Sequence, residues 1–336
     1  MKAVVLVGGE GTRLRPLTET VPKPLIPFMN RPFLHQLLDL LAAHGIEEVI
    51  CSSPYLEEEF GSFLKERTRA PAVTWITEET PLGTSGAVAG ALDHLEDTFL
   101  VCNGDILTDL DLTSLVAYHR ERGAVATIAL ARVEDARPFG LVEIDGSGRV
   151  LAFREKPSEP IPGSVNAGTY VLEPRALADV PRGVPVSIER ETFPGLIDWG
   201  EPVFGHLSSA YWRDLGTPES YLAAHEDALA GAVAGIETSA PLLGAGALVH
   251  SEASVAPSVV VGRDVSIAAG ATVERSVLHA EVRVGADAKV EGSILGPGSQ
   301  VGAGALVRDS VLGHASRVEA EARLEGERLG PGGRTS

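Results

Sequence analysis

Lysine is scarce in this chain of 336 residues: of 28 basic side chains only five are lysines, at positions 2, 23, 65, 156 and 289. Basic charge is short altogether, 28 against 46 acidic groups, which leaves −18 at neutral pH. A chain that acidic has no general attraction to nucleic acid or to an anionic membrane, so neither is expected as a partner. Cysteine is nearly absent as well. Cys51 and Cys102 are the only two, too few to staple a fold. No apolar run approaches the roughly 20 residues of a membrane span, and Met1-Lys2 leads directly into the apolar stretch Ala3 to Val7. A reducing, cytoplasmic location is the expectation. What the chain does have is length for two or three domains and 44% apolar residues to fill their cores.

Charge is unevenly spread. Residues 1 to 240 hold 19 basic and 35 acidic groups, and residues 241 to 336 hold 9 and 11. Within the first stretch, residues 1 to 31 reverse the sign, with Lys2, Arg13, Arg15, Lys23 and Arg31 against Glu10 and Glu19.

Up to about residue 125, short apolar runs alternate with amphipathic segments. The runs Lys2 to Val7, Glu48 to Ser52, Val73 to Thr77 and Phe99 to Cys102 read as strands. Phe33 to Ala43, Leu56 to Arg67, Ser85 to Leu95 and Leu112 to Arg122 read as helices. Thr84 and Asp111 suit N-caps, and Gly45 and Gly123 suit left-handed C-caps. This alternation predicts an α/β fold whose parallel sheet is covered by helices on both faces. Strand-like segments follow, including Val125 to Ala131, Leu141 to Ile144 and Val150 to Arg154 around an Asp145-Gly-Ser-Gly148 turn. They are expected to extend the sheet into a Rossmann-like mixed one and to cover its carboxyl edge. A closing helix is expected over 217 to 230, capped by Thr217 with Pro218 at its first position. The expected domains are 1–230, a linker at 231–240, a repeat domain at 241–325 and a tail at 326–336.

The last stretch is periodic. Aliphatic residues recur at 243, 249, 255, 261, 267 and 273, then at 278, 284 and 290, at 295, 301 and 307, and at 312, 318 and 324. Six-residue steps are broken by five-residue steps that close 17-residue units, as in Val273-Glu-Arg-Ser-Val-Leu, Val290-Glu-Gly-Ser-Ile-Leu and Val307-Arg-Asp-Ser-Val-Leu. Helices need a spacing near 3.6; this step fits a parallel β-helix and resembles the left-handed hexapeptide-repeat helix, here of about five coils. Its flat sides and open ends need covering, which implies a homo-oligomer assembled through the β-helix.

The first strand runs into Gly8-Gly9-Glu10-Gly11-Thr12-Arg13-Leu14-Arg15. Glycines let backbone N–H groups approach a phosphate, and Arg13 adds a fork of donors. Leu14 stands where a dinucleotide fingerprint has its third glycine, and no Lys-Ser/Thr follows, which excludes a Walker A loop. The prolines of Pro22-Lys23-Pro24 are expected to hold that segment extended, aiming Lys23 back at the loop.

That string, followed by Pro81-Leu-Gly-Thr-Ser-Gly-Ala87, Asn103-Gly-Asp105, Phe139-Gly140, Glu155-Lys-Pro157, Asn166-Ala-Gly-Thr-Tyr170, Ser187-Ile-Glu-Arg-Glu-Thr-Phe-Pro194 and Trp212-Arg-Asp-Leu-Gly-Thr-Pro218, resembles the sugar-1-phosphate nucleotidylyltransferases. Their mannose-1-phosphate guanylyltransferase branch is the most similar, over essentially residues 1 to 325. The resemblance implies that a sugar 1-phosphate oxygen attacks the α-phosphorus of a nucleoside triphosphate and releases pyrophosphate. It implies Arg13 and Lys23 as catalytic cations, and Mg²⁺ held by Asp105 and Asp214. It implies a nucleotide pocket of Leu6, Gly8, Gly9, Gly11, Thr12, Arg13, Lys23, Glu78, Gly83, Thr84, Asn103 and Gly104. Gly140, Glu155, Lys156 and Asn166 would hold the sugar phosphate, although Glu155 can also be read as pairing with Arg154. Asp105 and Asp214 can each be read as turn aspartates.

Glu78 matches by spacing the position where thymidylyl- and uridylyltransferases carry a pyrimidine-reading glutamine. A carboxylate accepts from the N1–H and N2–H₂ edge of guanine, so GTP with mannose 1-phosphate is the expected pair, and Glu79 is a register-shifted alternative. A glucose-1-phosphate thymidylyl- or uridylyltransferase is the alternative within the family. From other classes come a silent regulatory subunit that binds nucleotide sugar, and a β-helix acyltransferase using a histidine as base. His250, His279 and His314, in the repeat, read as solvated corner residues.

Overall fold

The computed structural model describes residues 1–54, 60–66, 69–236 and 238–335. Two compact units result, Met1–Gly9 with Gln36–Trp212, and Glu10–His35 with Arg213–Ser336. Among the described residues no helix is long and apolar enough to cross a membrane.

The first unit is built on a nine-stranded sheet of β1 (Lys2–Leu6), β2 (Glu48–Ser53), β3 (Ala72–Thr77), β4 (Phe99–Asn103), β5 (Ala126–Val133), β6 (Gly140–Ile144), β7 (Val150–Glu155), β8 (Gly163–Leu172) and β9 (Val203–Leu207). Its order is β7-β6-β8-β4-β1-β2-β3, and β5 pairs with both β8 and β9. β4, β1, β2 and β3 run parallel, and β8 lies antiparallel to β4, so the sheet is mixed, as the later strand-like segments implied. β1 and β2 are near-continuous apolar runs because both of their faces are buried. β2 and β3 lie on one side of β1 and β4 on the other. The strand order therefore reverses between β1 and β4, the place where open α/β sheets bind ligands beyond their carboxyl ends.

Helices α1 (Leu34–Ala43), α2 (Gly61–Glu66), α3 (Gly83–Gly90), α4 (Leu112–Arg122) and α5 (Phe193–Asp198) accompany the strands. The core joins Val4, Ile50 and Val101 of the sheet to Val88 of α3, Phe193 of α5 and the buried Tyr170. α4 forms over the expected residues. The Asp111 carboxylate accepts from the Ser114 N–H at 3.0 Å, and Gly123 ends the helix at φ 56°. The helix expected over 85–95 instead starts at Gly83 and stops at Gly90, and a short 3₁₀ turn, Leu92–His94, follows. Thr84 is not its cap: Leu82 holds that position, and the Thr84 hydroxyl is used elsewhere. Of the helix expected over 56–67, residues 56–59 and 67 lie outside the described residues.

In the second unit the repeat folds as expected. Short strands from Leu242–Leu243 to Arg328–Leu329 form three parallel sheets of six, five and five strands, a left-handed β-helix. All fifteen periodic positions fall in these strands, and Val261, Ile267, Val273, Leu278 and their successors stack into one apolar column. Leu243 and Val249, in the first coil, are the exceptions at 50% and 37% exposed, since no coil precedes theirs.

The five-residue step has a polar cause. Ser276 Oγ donates to the Glu274 carbonyl and accepts from the Ser293 N–H at 3.1 Å. Ser293 does the same for Glu291 and Ser310, and Ser310 for Arg308 and Glu327. The buried serines thus supply acceptors to the backbone N–H groups that the tightened corner leaves over.

Helix α6 (Pro218–Leu229) belongs to this unit and opens with the expected cap. Thr217 Oγ1 accepts from the Ser220 N–H, and the Ser220 hydroxyl accepts from the Thr217 N–H. One repeat histidine departs from expectation. His279 is buried, not solvated, because its Nε2 meets the Tyr221 hydroxyl of α6 at 3.0 Å. His250 and His314 are exposed.

Segment 10–35 is tied to the same body. The Tyr221 hydroxyl also donates to the Pro27 carbonyl, the Met29 N–H donates to His225 Nε2 at 3.3 Å, and Asn30 Nδ2 donates to the Val261 carbonyl at 2.8 Å. At Lys23–Leu25 the segment is not extended, contrary to the reading of the prolines there. It coils into three 3₁₀ turns, Thr12–Leu14, Leu17–Glu19 and Lys23–Leu25. The fixed φ of Pro24 suits the second position of such a turn, and burial of Leu14 and Leu17 anchors the other two.

Candidate active site

In the first unit, residues singled out from sequence gather at the carboxyl ends of β4, β1, β2 and β3. Leu6, which ends β1, stands opposite Asn103 of β4 and Ser52 of β2, and Gly8 and Gly9 follow it. Beyond Asn103, the Gly104 N–H donates to the Leu6 carbonyl at 2.9 Å, and a Cβ on Gly104 would lie 2.7 Å from that oxygen. The chain thus turns tightly into the half-buried Asp105. Asn103 Oδ1 is buried and accepts no hydrogen bond among the described residues, an unmet acceptor two residues from Asp105.

Glu78 follows β3. It is 8% exposed, and both oxygens already accept: Oε1 from the Ser52 hydroxyl at 3.0 Å and Oε2 from the Leu82 N–H at 2.9 Å. Each keeps a second lone pair. Glu79 beside it is exposed.

Gly83 and Thr84 carry a structural duty that sequence reasoning missed. Gly83 has φ +67°, and a Cβ there would lie 2.7 Å from the Val186 carbonyl, which accepts from the Ser85 N–H. Thr84 Oγ1 donates to Glu189 Oε2 at 2.8 Å and accepts from the Ile188 N–H at 2.7 Å. The Pro81–Ala87 and Ser187–Pro194 strings are therefore two sides of one contact.

The four residues assigned to sugar phosphate occupy three neighbouring strands. Gly140 begins β6 directly opposite Glu155 at the end of β7, and β8, on the other side of β6, carries Asn166 next to Val165, the partner of Leu141. Lys156, at φ 52°, returns its Nζ to within 3.6 Å of Glu155 Oε1. Arg154 pairs with Glu143 instead. Asn166 donates to the Tyr170 hydroxyl and accepts from the Gly168 N–H, which fixes its amide. Trp212 joins the two sides, donating to the Ala167 carbonyl at 2.9 Å while Phe139 packs edge-on against its ring.

In the second unit Arg13, Lys23 and Asp214 form one cluster. Asp214 Oδ2 lies 3.5 Å from Arg13 Nη2, and Oδ1 lies 3.9 Å from Lys23 Nζ. Lys23 is only 9% exposed, and its stem packs where a Cβ on Gly11 would meet it at 3.2 Å. It does face back onto the glycine loop, though from a 3₁₀ turn. Thr12 opens the turn that presents Arg13, and the Thr18 hydroxyl holds the Gly11 carbonyl at 2.9 Å. Gly216 completes the cluster: a Cβ there would lie 2.4 Å from Arg13 Nη2 and 2.9 Å from Asp214 Oδ1. Its signal was its place in the Trp212–Pro218 string, which named the aspartate but gave the glycine no role.

The cysteines take no part. Both are fully buried and burial pushes their thiols up to about 12, so neither supplies a thiolate nucleophile.

Residues 2–231 match the family model described as "Nucleotidyl transferase". The chain belongs to the nucleotidyl transferase family. The rest of this nucleotidyltransferase matches a second model, "GMPPB C-terminal domain", over residues 239–332. It is 42% identical over 303 residues to a mannose-1-phosphate guanylyltransferase of Mycobacterium tuberculosis, covering 86% of this chain and 82% of that protein. It is 35% identical to mannose-1-phosphate guanylyltransferase 1 of Arabidopsis thaliana, covering 82% and 79%. Among solved structures, HddC from Yersinia pseudotuberculosis complexed with GMP-PN is 29% identical with a TM-score of 0.58, over 66% of this chain and 97% of that one.

Proposed function

We propose that this nucleotidyltransferase joins GTP and mannose 1-phosphate into GDP-mannose and releases pyrophosphate. The observation that carries the reading is the Arg13–Asp214–Lys23 cluster, two cations held on one carboxylate behind a glycine loop in a chain of net charge −18. Such a chain has to concentrate its positive charge where polyanions bind. The names of the Mycobacterium and Arabidopsis relatives, and the GMP-PN in the Yersinia structure, support guanine and mannose 1-phosphate.

In the proposed reaction a phosphate oxygen of mannose 1-phosphate attacks the α-phosphorus of GTP in line, the bond from that phosphorus to the β-phosphate bridge breaks, and pyrophosphate leaves. No covalent intermediate on the protein is needed. The chain's task is positioning and charge stabilisation. Arg13 takes the triphosphate, Lys23 the transferred phosphoryl group, and Lys156 the sugar phosphate, with Glu155, Gly140 and Asn166 around the sugar. Glu78 reads guanine with its remaining lone pairs, the Ser52 and Leu82 contacts fixing the carboxylate plane.

Asp105 and Asp214 are the proposed carboxylates for Mg²⁺. The donor types fit: hard carboxylate oxygens and, two residues before Asp105, an unmet amide oxygen at Asn103. Mg²⁺ is commonly held by one or two carboxylates plus substrate phosphates. When bound, it neutralises charge on the phosphates as they approach.

Pyrophosphate release from GTP and mannose 1-phosphate tests the proposal, with Mg²⁺ or with chelator. Turnover that needs both substrates and the metal is the expected result. No release from that pair overturns the substrate assignment, and full release in chelator overturns the metal.

A further inference from the structure

Arg328 and the glycine loop are joined across 315 positions of sequence. Arg328 Nη1 donates to the carbonyl of Arg13 at 2.8 Å and to that of Arg15 at 3.1 Å. Its strand, Arg328–Leu329, is the last of the six-stranded face of the β-helix and pairs in parallel register with Val311–Leu312. The donor thus stands on a rigid element and its acceptors on a loop.

Those acceptors matter because the loop is weak on its own. The turn Thr12–Leu14 spans three residues and has two internal hydrogen bonds, Leu14 N–H to Gly11 and Arg15 N–H to Thr12. A single 3₁₀ turn of poor geometry does not persist in water without outside support. Burial of Leu14 supplies some, and the Thr18 hydroxyl on the Gly11 carbonyl supplies more. Neither holds the carbonyls of Arg13 and Arg15. Arg328 holds both, with a cation at the carbonyl end of the turn, where the dipole favours one.

We propose that Arg328 is a positioning residue for nucleotide binding: the terminal coil of the β-helix fixes the backbone from Arg13 to Arg15, so that the Arg13 guanidinium is presented beside Asp214 before the triphosphate arrives. This gives the repeat a part in the reaction besides assembly. It rests on the reading of Arg13 as a triphosphate ligand.

The contact is solvent-exposed, so its loss leaves both carbonyls to water and costs the fold little. The effect belongs to the order of the loop. The test uses the full chain with Arg328→Ala and Arg328→Lys. Without any ligand, amide hydrogen exchange over residues 12–20 should quicken about tenfold in the alanine variant and recover in part with lysine, which keeps a donor but not the fork. With substrates, KM for GTP should rise about fivefold in Arg328→Ala, the size of one ordinary solvent-exposed hydrogen bond, with kcat within about twofold and KM for mannose 1-phosphate unchanged. Unchanged loop exchange in Arg328→Ala overturns the clamp, whatever the enzyme turns over. Quickened exchange with an unchanged KM for GTP overturns its role in binding. A wild-type chain inert toward GTP and mannose 1-phosphate counts against the proposed function, and the exchange result still decides the clamp.

Discussion

Lys23 Nζ lies 3.9 Å from Asp214 Oδ1, and that lysine is 9% exposed. A nearly buried ammonium needs an anion at hand, and Arg13 shares the same anion from the other side at 3.5 Å. Without substrate, the carboxylate holds both cations in place. On the proposed reading, phosphates take over the cations without having to organise them, the condition for electrostatic preorganisation.

Asp214→Asn follows directly. The amide keeps the shape and removes the charge, so turnover should fall at least about 100-fold, the usual loss for one electrostatic group at a reacting phosphate. The chain should still fold, with a melting temperature a few degrees lower as Lys23 loses part of its counter-charge. Full activity by pyrophosphate release would remove Asp214 from the metal site.

Gly216→Ala tests the geometry of the cluster without touching a charge. The new Cβ would stand 2.4 Å from Arg13 Nη2, the far end of a flexible side chain, so the fold accommodates it by swinging the guanidinium away. KM for GTP should rise about tenfold with little change in melting temperature, a loss of about 1.4 kcal/mol in positioning. An unchanged KM would show that Arg13 does not act from beside Asp214.

Ser293→Ala probes the β-helix. Its hydroxyl both donates to the Glu291 carbonyl and accepts from the Ser310 N–H, and it is 0% exposed. Alanine leaves the buried Ser310 N–H unmet, while the Glu291 carbonyl keeps the Asp309 N–H, so urea unfolding should show a loss of about 1–3 kcal/mol. Activity of the folded enzyme should persist.

Acid should weaken the second unit through two histidines. Burial pushes His279 down to about 4 and His225 to about 3, from an ordinary 6.5. Both are therefore neutral when folded and take a proton more readily when unfolded. Their stabilisation is complete above pH 6.5 and is lost as the pH falls through that value toward 4 and then 3. The slope is at most about 1.4 kcal/mol per pH unit for each. His279→Gln, whose amide N–H can still donate to the Tyr221 hydroxyl, should flatten the fall in urea midpoint between pH 7 and pH 5.

Features set by neighbours along the chain were legible in the sequence. The fifteen aliphatic positions, the Thr217 and Asp111 caps and the parallel strands each depend on local spacing, and each lies where expected. What was misread depends on distant partners. Thr84 looks like a cap until Glu189 and Ile188 claim its hydroxyl from across the fold. His279 looks solvated until Tyr221, 58 residues earlier, covers it. Prolines around Lys23 suit either an extended segment or a tight turn, and the turn is the form in which Lys23 and Pro24 are buried. Nothing near Arg328 in sequence announces its bond to Arg13.

The central claim is a guanine-specific transfer onto mannose 1-phosphate, and one panel tests it most directly. Initial rates of pyrophosphate release would be measured with mannose 1-phosphate and each of GTP, ATP, CTP, UTP and dTTP, in Mg²⁺. GTP should give the highest kcat/KM if the Glu78 carboxylate accepts from the guanine edge as proposed, since it offers no donor to a pyrimidine carbonyl. A preference for UTP or dTTP would contradict the account.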